Sequence, residues 1–543
     1  MGGLSESTGA AWEHLRRLPV WLPPALLTLA VTVTGLGSAQ LWRDELATWS
    51  AATRSPRDLA RLAGTIDAAT GPYYLLMHGW TRVFGDSTVA LRAPAVLAMT
   101  VAAGLLAVLS ARLVDRRAGL FAGLLFAVLP GTSRYGQEAR PYALATMLAV
   151  LATLLLVTAL RRPSWARWAG YAVAVAALGL IHLIALTLLA AHALVVVITW
   201  WRGPAAAGVA SPVAGTTPTH HTAPVHHTTP AHDSAPTHDS APVHDSAPTH
   251  DNAPAGRPGG RDGRIWRWVI ALVPAALVVT PLLLRARAQR SQQLSWVDPA
   301  RLDDLSALPG GVAQSSVVGG LLVGVAALGA ARLGRRALLP MSAMLLPVLL
   351  LFAVGTVVPL WVPRYLVFVV PFACLLAGAA LAAVAPPAAL VVVVLAALLG
   401  LPDQAALRRT HEWPRSAPVD YAGAAQVIAD GQRPGDAVVY SPRHSWLFLD
   451  LGIEYHLGDP PRDVLVTEDE VRRGDLWAAE CPQPAQCLAG TTRVWLVVSG
   501  RHAEPLAAVP GAKGDALRTD FTVTQVWQRA GLTVALLTSR LDR

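Results

Sequence analysis

Leu41-Trp42-Arg43-Asp44-Glu45 follows almost directly on the first apolar stretch of the chain. Two adjacent carboxylates at a membrane boundary are costly unless water, a cation or a substrate receives them. A second polar run, Tyr135-Gly136-Gln137-Glu138-Ala139-Arg140-Pro141-Tyr142, falls in a very short loop two apolar segments later. The topology expected below turns both runs toward the same side of one membrane, and that shared face is where chemistry is expected.

The composition sets the class. Of 543 residues, 53% are hydrophobic and only 15% are charged, with a mean hydropathy of +0.43. Water-soluble domains carry about 25% charged residues, so the deficit indicates an α-helical polytopic membrane protein. The formal charge of +9 is mostly arginine, which in such a protein suggests cytoplasmic loops before nucleic acid. Apolar stretches near 19–39, 88–110, 118–133, 141–160, 168–182, 184–201, 266–284, 317–333, 337–359, 364–384 and 387–402 make about eleven candidate spans, each near the length a bilayer requires. The fifth and sixth share one long run, and a turn near His182 is the only break between them. Arg16 and Arg17 precede an apolar run with no clear small-residue cleavage site, so the first stretch is read as a retained span and not a removed signal peptide.

Arginine placement gives the orientation. Arg16 and Arg17, Arg112, Arg116 and Arg117, Arg161, Arg162 and Arg167, and Arg332, Arg335 and Arg336 all fall on one side by counting spans, the side the positive-inside rule calls cytoplasmic. The expected protein lies in the plasma membrane with a cytoplasmic N-terminus. The opposite face then receives Asp44 and Glu45, Glu138, residues 285–316, the turn before Arg364 and the whole C-terminus. The loop 40–87, with Pro72-Tyr73-Tyr74 and Trp80, predicts a short amphipathic helix in the interface, its aromatics at headgroup depth.

Four regions follow: an N-terminal transmembrane half (1–203), a His/Pro-rich linker (204–263), a second transmembrane half (264–402) and a C-terminal domain (403–543). In the linker, His232-Asp233-Ser234-Ala235-Pro236 recurs at a six-residue period. Proline at that period forbids helix and sheet alike, and the expected state is a disordered cytoplasmic segment. Weak capture of Zn²⁺ or Ni²⁺ is the functional alternative, though a flexible repeat presets no coordination geometry. The C-terminal region predicts a small extracytoplasmic α/β domain, with strands at 436–440, 493–498 and 534–537 and a helix over 421–428. Cys481 and Cys487 lie close together in an otherwise cysteine-poor chain. They suit a disulfide if exported, or are two free thiols if not.

Several polar residues read two ways. Asp44 and Glu45 are a solvated loop neutralised by Arg43, or a general base or cation site, since a partly desolvated carboxylate can take a proton from an attacking hydroxyl. Glu138 and Arg140 are a local ion pair before a helix started by Pro141, or a pair in which Arg140 grips phosphate. Arg364, in Pro363-Arg364-Tyr365, snorkels at the interface or clamps a donor phosphate. His78, His182 and His192 in apolar runs are read as interhelical hydrogen bonders before ligands. The sequence has no phosphate-binding glycine loop, no CxxC at metal-ligand spacing and no nucleophilic triad, so nucleotide-driven pumping has no support.

Trp42-Arg43-Asp44-Glu45 after the first span, the Gln137-Glu138-Ala139-Arg140-Pro141-Tyr142 run before the fourth, and Pro363-Arg364-Tyr365-Leu366 together resemble the GT-C membrane glycosyltransferases, in the branch of the protein O-mannosyltransferases and aminoarabinose transferases. The resemblance covers about residues 15–400. It implies a hexosyltransferase that moves a mannose-like sugar from a polyprenyl-phosphate donor to an acceptor hydroxyl on the outer face, with inversion. By that similarity Asp44 and Glu45 are catalytic, while Arg43, Tyr135, Gln137, Glu138, Arg140, Tyr142 and Arg364 bind substrate. A divalent cation on Asp44 and Glu45 is compatible with it. Expected partners are the lipid-linked donor, the bilayer and a protein or glycan acceptor. A flippase of lipid-linked sugars and a non-catalytic envelope protein are the competing classes. Against transport, the charges cluster on one face and not at mid-membrane.

Overall fold

The computed structural model describes residues 18–202, 262–412 and 415–540. Arg16, Arg17 and the His/Pro segment up to residue 261 lie outside the described residues. All eleven apolar stretches are helical. Among the described residues seven helices are long and apolar enough to cross a membrane, and Leu22–Val33 and Trp165–Ile181 are shorter apolar helices. The 40-residue stretch Ser316–Gly355 bends at a single 3₁₀ turn, Gly334–Ala337. The expected break at His182 is present: the helix Trp165–Ile181 ends there, and a 3₁₀ turn over Leu183–Thr187 leads into Leu188–Arg202.

Helix packing relies on small residues, as expected where lipid offers no hydrophobic drive to associate. A methyl group at Gly329 would overlap the carbonyl oxygen of Leu376 in the neighbouring helix, and one at Gly378 would press on Ala118 and Ala122. These glycines let the helices Ser316–Leu333, Val370–Leu381 and Arg116–Val128 touch through their backbones.

Arginines gather at one end of this bundle. Arg161 donates to the Arg112 carbonyl at 2.7 Å, Arg112 reaches Thr158 at 2.8 Å, and Arg116 and Arg117 donate to the carbonyls of Leu18 and Val384. Arg92 and Arg112 belong to the same helix, Thr88–Leu113. At 1.5 Å per residue they lie roughly 30 Å apart, the thickness of a hydrocarbon core. The end holding Arg92 is the one that carries the site.

The first loop departs from expectation. In place of one interfacial helix it folds into three, Arg43–Thr53, Pro56–Thr65 and Gly71–Phe84. Tyr73 and Tyr74 are buried, and the Tyr74 hydroxyl donates to Asp67 inside the fold.

The C-terminal domain is a five-stranded sheet in the order β2-β1-β5-β7-β6, with β1 Ala437–Ser441, β2 Arg462–Asp463, β5 Arg493–Ser499, β6 Phe521–Arg529 and β7 Leu532–Ser539. β3 Val466–Glu468 and β4 Ala479–Glu480 form a separate ladder. β1 runs parallel to β2 and β5, and β7 lies antiparallel between β5 and β6. The expected strands are β1, β5 and β7, all buried. The missed β6 alternates toward solvent, and β2, β3 and β4 are only two or three residues long. This domain docks on the first loop. Gln40 bridges the Asp420 carboxylate (3.1 Å) and the Ala422 amide (2.9 Å), Trp49 meets Tyr455 edge-on at 5.2 Å, and Tyr455 shares a hydrogen bond with Thr88 at 2.9 Å. A disulfide joins Cys481 and Cys487.

Gly329→Val should push these helices apart and destabilise the bundle by about 1–3 kcal/mol. A thermal melt of the purified protein should show a lower midpoint than Gly320→Val on the same helix, where a methyl group meets nothing within 4 Å.

Candidate functional site

The site is built around one buried arginine. All five N–H groups of Arg92, 1% exposed, are used. Nε and Nη2 grip the two oxygens of Glu45 at 2.8 and 2.7 Å, Nη1 donates to the carbonyls of Leu36 and Ala39, and Nη2 also reaches the Gln40 carbonyl. Glu45 in turn accepts from the Ala139 amide at 2.8 Å and from the Trp42 amide at 3.4 Å. Burial alone would raise the Glu45 pKa, but the charge and hydrogen bonds of Arg92 override it and hold the carboxyl well below the usual carboxylate range. This one ion pair therefore fastens the end of the first span, the start of the Arg43–Thr53 helix and the Glu138 loop to a single helix.

Gln137 is a second latch, its amide donating to the Thr32 and Thr34 carbonyls at 2.8 Å. Glu138 pairs with Arg134 at 2.9 Å and not with Arg140, and its burial outweighs Arg134 and raises its pKa. Arg140 instead turns toward the first loop, donating to the Tyr74 hydroxyl at 3.3 Å and the Asp44 carbonyl at 3.4 Å. Arg364 lies 3.4 Å from Asp44 Oδ2, donates to the Tyr142 hydroxyl at 3.1 Å, and packs over the rings of Trp42, Trp296 and Tyr365. Arg134 covers Trp42 at 5.1 Å, and Tyr135 accepts from Gln314 at 3.2 Å.

Asp44 differs from Glu45. Its side chain is 20% exposed, and Oδ2 has no hydrogen-bond partner within the protein. The two arginines it touches line two different cavities. The larger, about 540 Å³, is lined by Leu283, Ile184 and Leu360 on its apolar side and by Arg140, Arg287 and Arg290 on its polar side. The smaller, about 190 Å³, is lined by Trp42, Trp296, Trp361, Glu138, Arg364 and Glu412 among others. Arg140 and Tyr142 border the first and Arg364 the second, and Asp44 touches both arginines.

Sequence reasoning missed six residues here. Arg92 sits in the first turns of an apolar helix and reads as a snorkelling arginine. Arg287 and Arg290 lie in the last turns of the helix Asp262–Gln293, and Asp67 ties that end to the first loop through Gln293. His411 and Glu412 come from beyond the last span. His411 Nδ1 is 3.7 Å from Glu45 Oε2, its carbonyl accepts from Arg134 at 3.0 Å, and Glu412 faces Arg43 at 3.7 Å. Burial, helped by the Arg134 and Arg92 charges, pulls the His411 pKa down to about 3, so the ring is neutral at physiological pH. Burial pushes Glu412 up to about 7 against the pull of Arg43.

The Asp44–Glu45 pair does not fit a divalent cation. Glu45 has given both oxygens to Arg92 and the backbone, and among the described residues no three His, Cys, Asp or Glu side chains converge on a metal position.

Two outcomes are expected. Arg92→Met strands a buried carboxylate and should cost about 3–5 kcal/mol, seen as a large fall in thermal midpoint or loss of folded protein. Glu412 has a folded pKa above its unfolded one, so its contribution favours the fold below about pH 4.5 and is lost as pH rises through about 7. That loss is on the order of 3 kcal/mol, and the fall in midpoint between those pH values should be visibly shallower in Glu412→Gln.

Comparison with known proteins agrees with this architecture. Residues 72–211 match the family described as dolichyl-phosphate-mannose-protein mannosyltransferase. A comparison with curated proteins by sequence gives no match. Among solved structures, ArnT from Cupriavidus metallidurans in the apo state aligns with a TM-score of 0.59 and 13% identity over 97% of this chain and 98% of that one. The same protein bound to undecaprenyl phosphate aligns at 0.56 and 13%, over 95% and 97%. Archaeoglobus fulgidus oligosaccharyltransferase aligns at 0.46 and 13% identity over 96% of this chain and 73% of that one, too distant to add to the assignment. About a quarter of this chain thus resembles a mannosyltransferase family, and nearly its whole length shares the fold of ArnT.

Proposed function

We propose that the protein transfers a mannose-like sugar from a polyprenyl-phosphate donor to an acceptor hydroxyl on the outer face of the plasma membrane, with inversion at the anomeric carbon. The observation that carries this reading is the position of Asp44, a carboxylate set between Arg140, which lines a large arginine-bearing cleft, and Arg364, which lines a smaller cavity. A donor with a long apolar tail and one phosphate needs the first kind of space, and an incoming hydroxyl needs the second. The relative of the same fold that binds undecaprenyl phosphate supports a donor of that class.

In this mechanism the lipid tail lies along the helix Gly263–Gln293, whose apolar window is only 17% buried and so borders the bilayer. Arg140, Arg287 and Arg290 receive the phosphate. Asp44 takes the proton of the acceptor hydroxyl as its oxygen attacks C1 from the side of the smaller cavity. The C1–O bond to phosphate breaks on the opposite side, and its electron pair leaves on an oxygen stabilised by the arginines. Attack and departure from opposite cavities invert the anomeric centre. Arg364, expected at the phosphate, borders the acceptor side instead and orients Asp44 from 3.4 Å. Glu45 is a positioning residue, since it has no oxygen left for substrate.

Orientation follows from charge and redox chemistry. The end that holds Arg112, Arg116, Arg117 and Arg161 is assigned to the cytoplasm by the positive-inside rule, and the Cys481–Cys487 disulfide in the C-terminal domain suits an oxidising, extracytoplasmic compartment.

Asp44→Asn keeps shape and removes the base. It should insert and fold normally yet lose roughly 10²–10⁴-fold in transfer from radiolabelled polyprenyl-phosphate mannose in liposomes. Retained turnover by that variant, in a preparation where the unmodified protein is active, excludes the assigned role.

A further inference from the structure

The smaller cavity carries more polar groups than its own fold satisfies. Trp42, Trp361 and Glu412 line it together with His411, whose Nδ1 faces Glu45. The indole N–H groups of Trp42 and Trp361 and Glu412 Oε1 have no hydrogen-bond partner within the protein, and their residues are 2%, 6% and 5% exposed. Buried polar groups are normally paired, and leaving one unpaired carries the whole desolvation cost of that group. Three in one pocket therefore describe a ligand. Two are donors only and one is an acceptor. A matching ligand both donates and accepts at several points within a few ångströms.

We infer that this cavity is the acceptor subsite and that the acceptor is a saccharide. The inference rests on the glycosyl-transfer reading above and deepens it. A sugar ring carries several hydroxyls in fixed positions, each able to donate to a carboxylate and accept from an indole N–H. A serine or threonine side chain brings one hydroxyl and leaves the other groups unpaired. The cavity's aromatic lining, with Trp296 and Tyr135 beside the two buried tryptophans, suits the apolar C–H faces of such a ring. Its volume of about 190 Å³ suits a single terminal residue better than a folded polypeptide loop.

The wall that makes the subsite comes from the connector to the C-terminal domain. His411 and Glu412 are held over it by the bond from Arg134 to the His411 carbonyl, and Arg415 fastens the segment to Gln314 at 3.0 Å and to Asp403 at 3.2 Å. The connector thereby closes one side of the subsite.

The test uses the full-length protein in nanodiscs and needs no donor for its first arm. Saturation-transfer NMR is recorded with a panel of methyl hexopyranosides and methyl pentofuranosides, and separately with a threonine-containing hexapeptide. Saturable binding of at least one glycoside, weakened about tenfold or more by both Trp361→Phe and Glu412→Gln while the melting midpoint stays within a few degrees, is the expected result. The second arm supplies polyprenyl-phosphate mannose, and the same variants should raise KM for the glycoside more than they lower kcat. Binding of the peptide alone, binding of no glycoside, or glycoside binding indifferent to both substitutions overturns the inference. Sugar transfer to the peptide alone overturns it while leaving the transfer reading intact, whereas glycoside binding at this pocket without any donor turnover does the reverse.

Discussion

The bidentate pair between Arg92 and Glu45 is the contact on which the rest of the site depends. Two opposite charges taken from water repay their desolvation only when geometry is good and the remaining donors are satisfied. Both conditions hold here, since Arg92 spends its other N–H bonds on the carbonyls of Leu36, Ala39 and Gln40. Those carbonyls belong to the segment leaving the first span, where backbone groups would otherwise be orphaned at the bilayer edge. Glu45 completes the arrangement by accepting from the Ala139 amide. The pair thus sets the distance between the two polar loops. Asp44 owes its exposure to this, because its neighbour is anchored inward and the helical turn directs Asp44 toward the cavities.

A division of labour among the polar residues follows. Glu45, Gln137 and Glu138 each point into protein and hold backbone or an arginine. Arg140 and Arg364 line space that a substrate can occupy, and Asp44 contacts both. The adjacent carboxylates of the sequence are unlike in chemistry because the helix beginning at Arg43 sends consecutive side chains about 100° apart. One is held ionised by Arg92; the other faces Arg364 at 3.4 Å with its side chain a fifth exposed.

Much of this was legible before any coordinates. Apolar length found each helix, since a bilayer demands about twenty residues whatever their order, and the gap at His182 was visible as the sole interruption in a long run. The two loops that meet at the site were visible as charge where charge is expensive. Pairing was not legible. Glu138 and Arg140 are two residues apart and suggested a local pair, yet Glu138 takes Arg134, one helical turn back, and Arg140 turns to the first loop. Arg92 was hidden because a lone arginine near a helix end reads as snorkelling, and only its five partners reveal it as an internal tie. Glu412 was hidden for another reason. It follows the last span and precedes the sheet, a place where carboxylates are ordinarily solvated, and only the docking of the C-terminal domain buries it.

That docking explains why a soluble domain with no transmembrane role is attached at all. Its contacts through Gln40, Trp49 and Thr88 fall on the loop that carries Asp44 and on the helix that carries Arg92. A domain held at these points fixes the residues leading into it, and those residues include His411 and Glu412. Were the domain to swing away, the two would lose their cover, Glu412 would regain water and titrate as an ordinary carboxylate, and the smaller cavity would lose a wall. Arg287 and Arg290 of the larger cleft are positioned through Gln289 and Gln293, which hold Ala63, Asp67 and Ala68 of the first loop. On the proposed reading, the donor side is therefore built on the helix that carries these arginines and the acceptor side on the connector, with Asp44 between them.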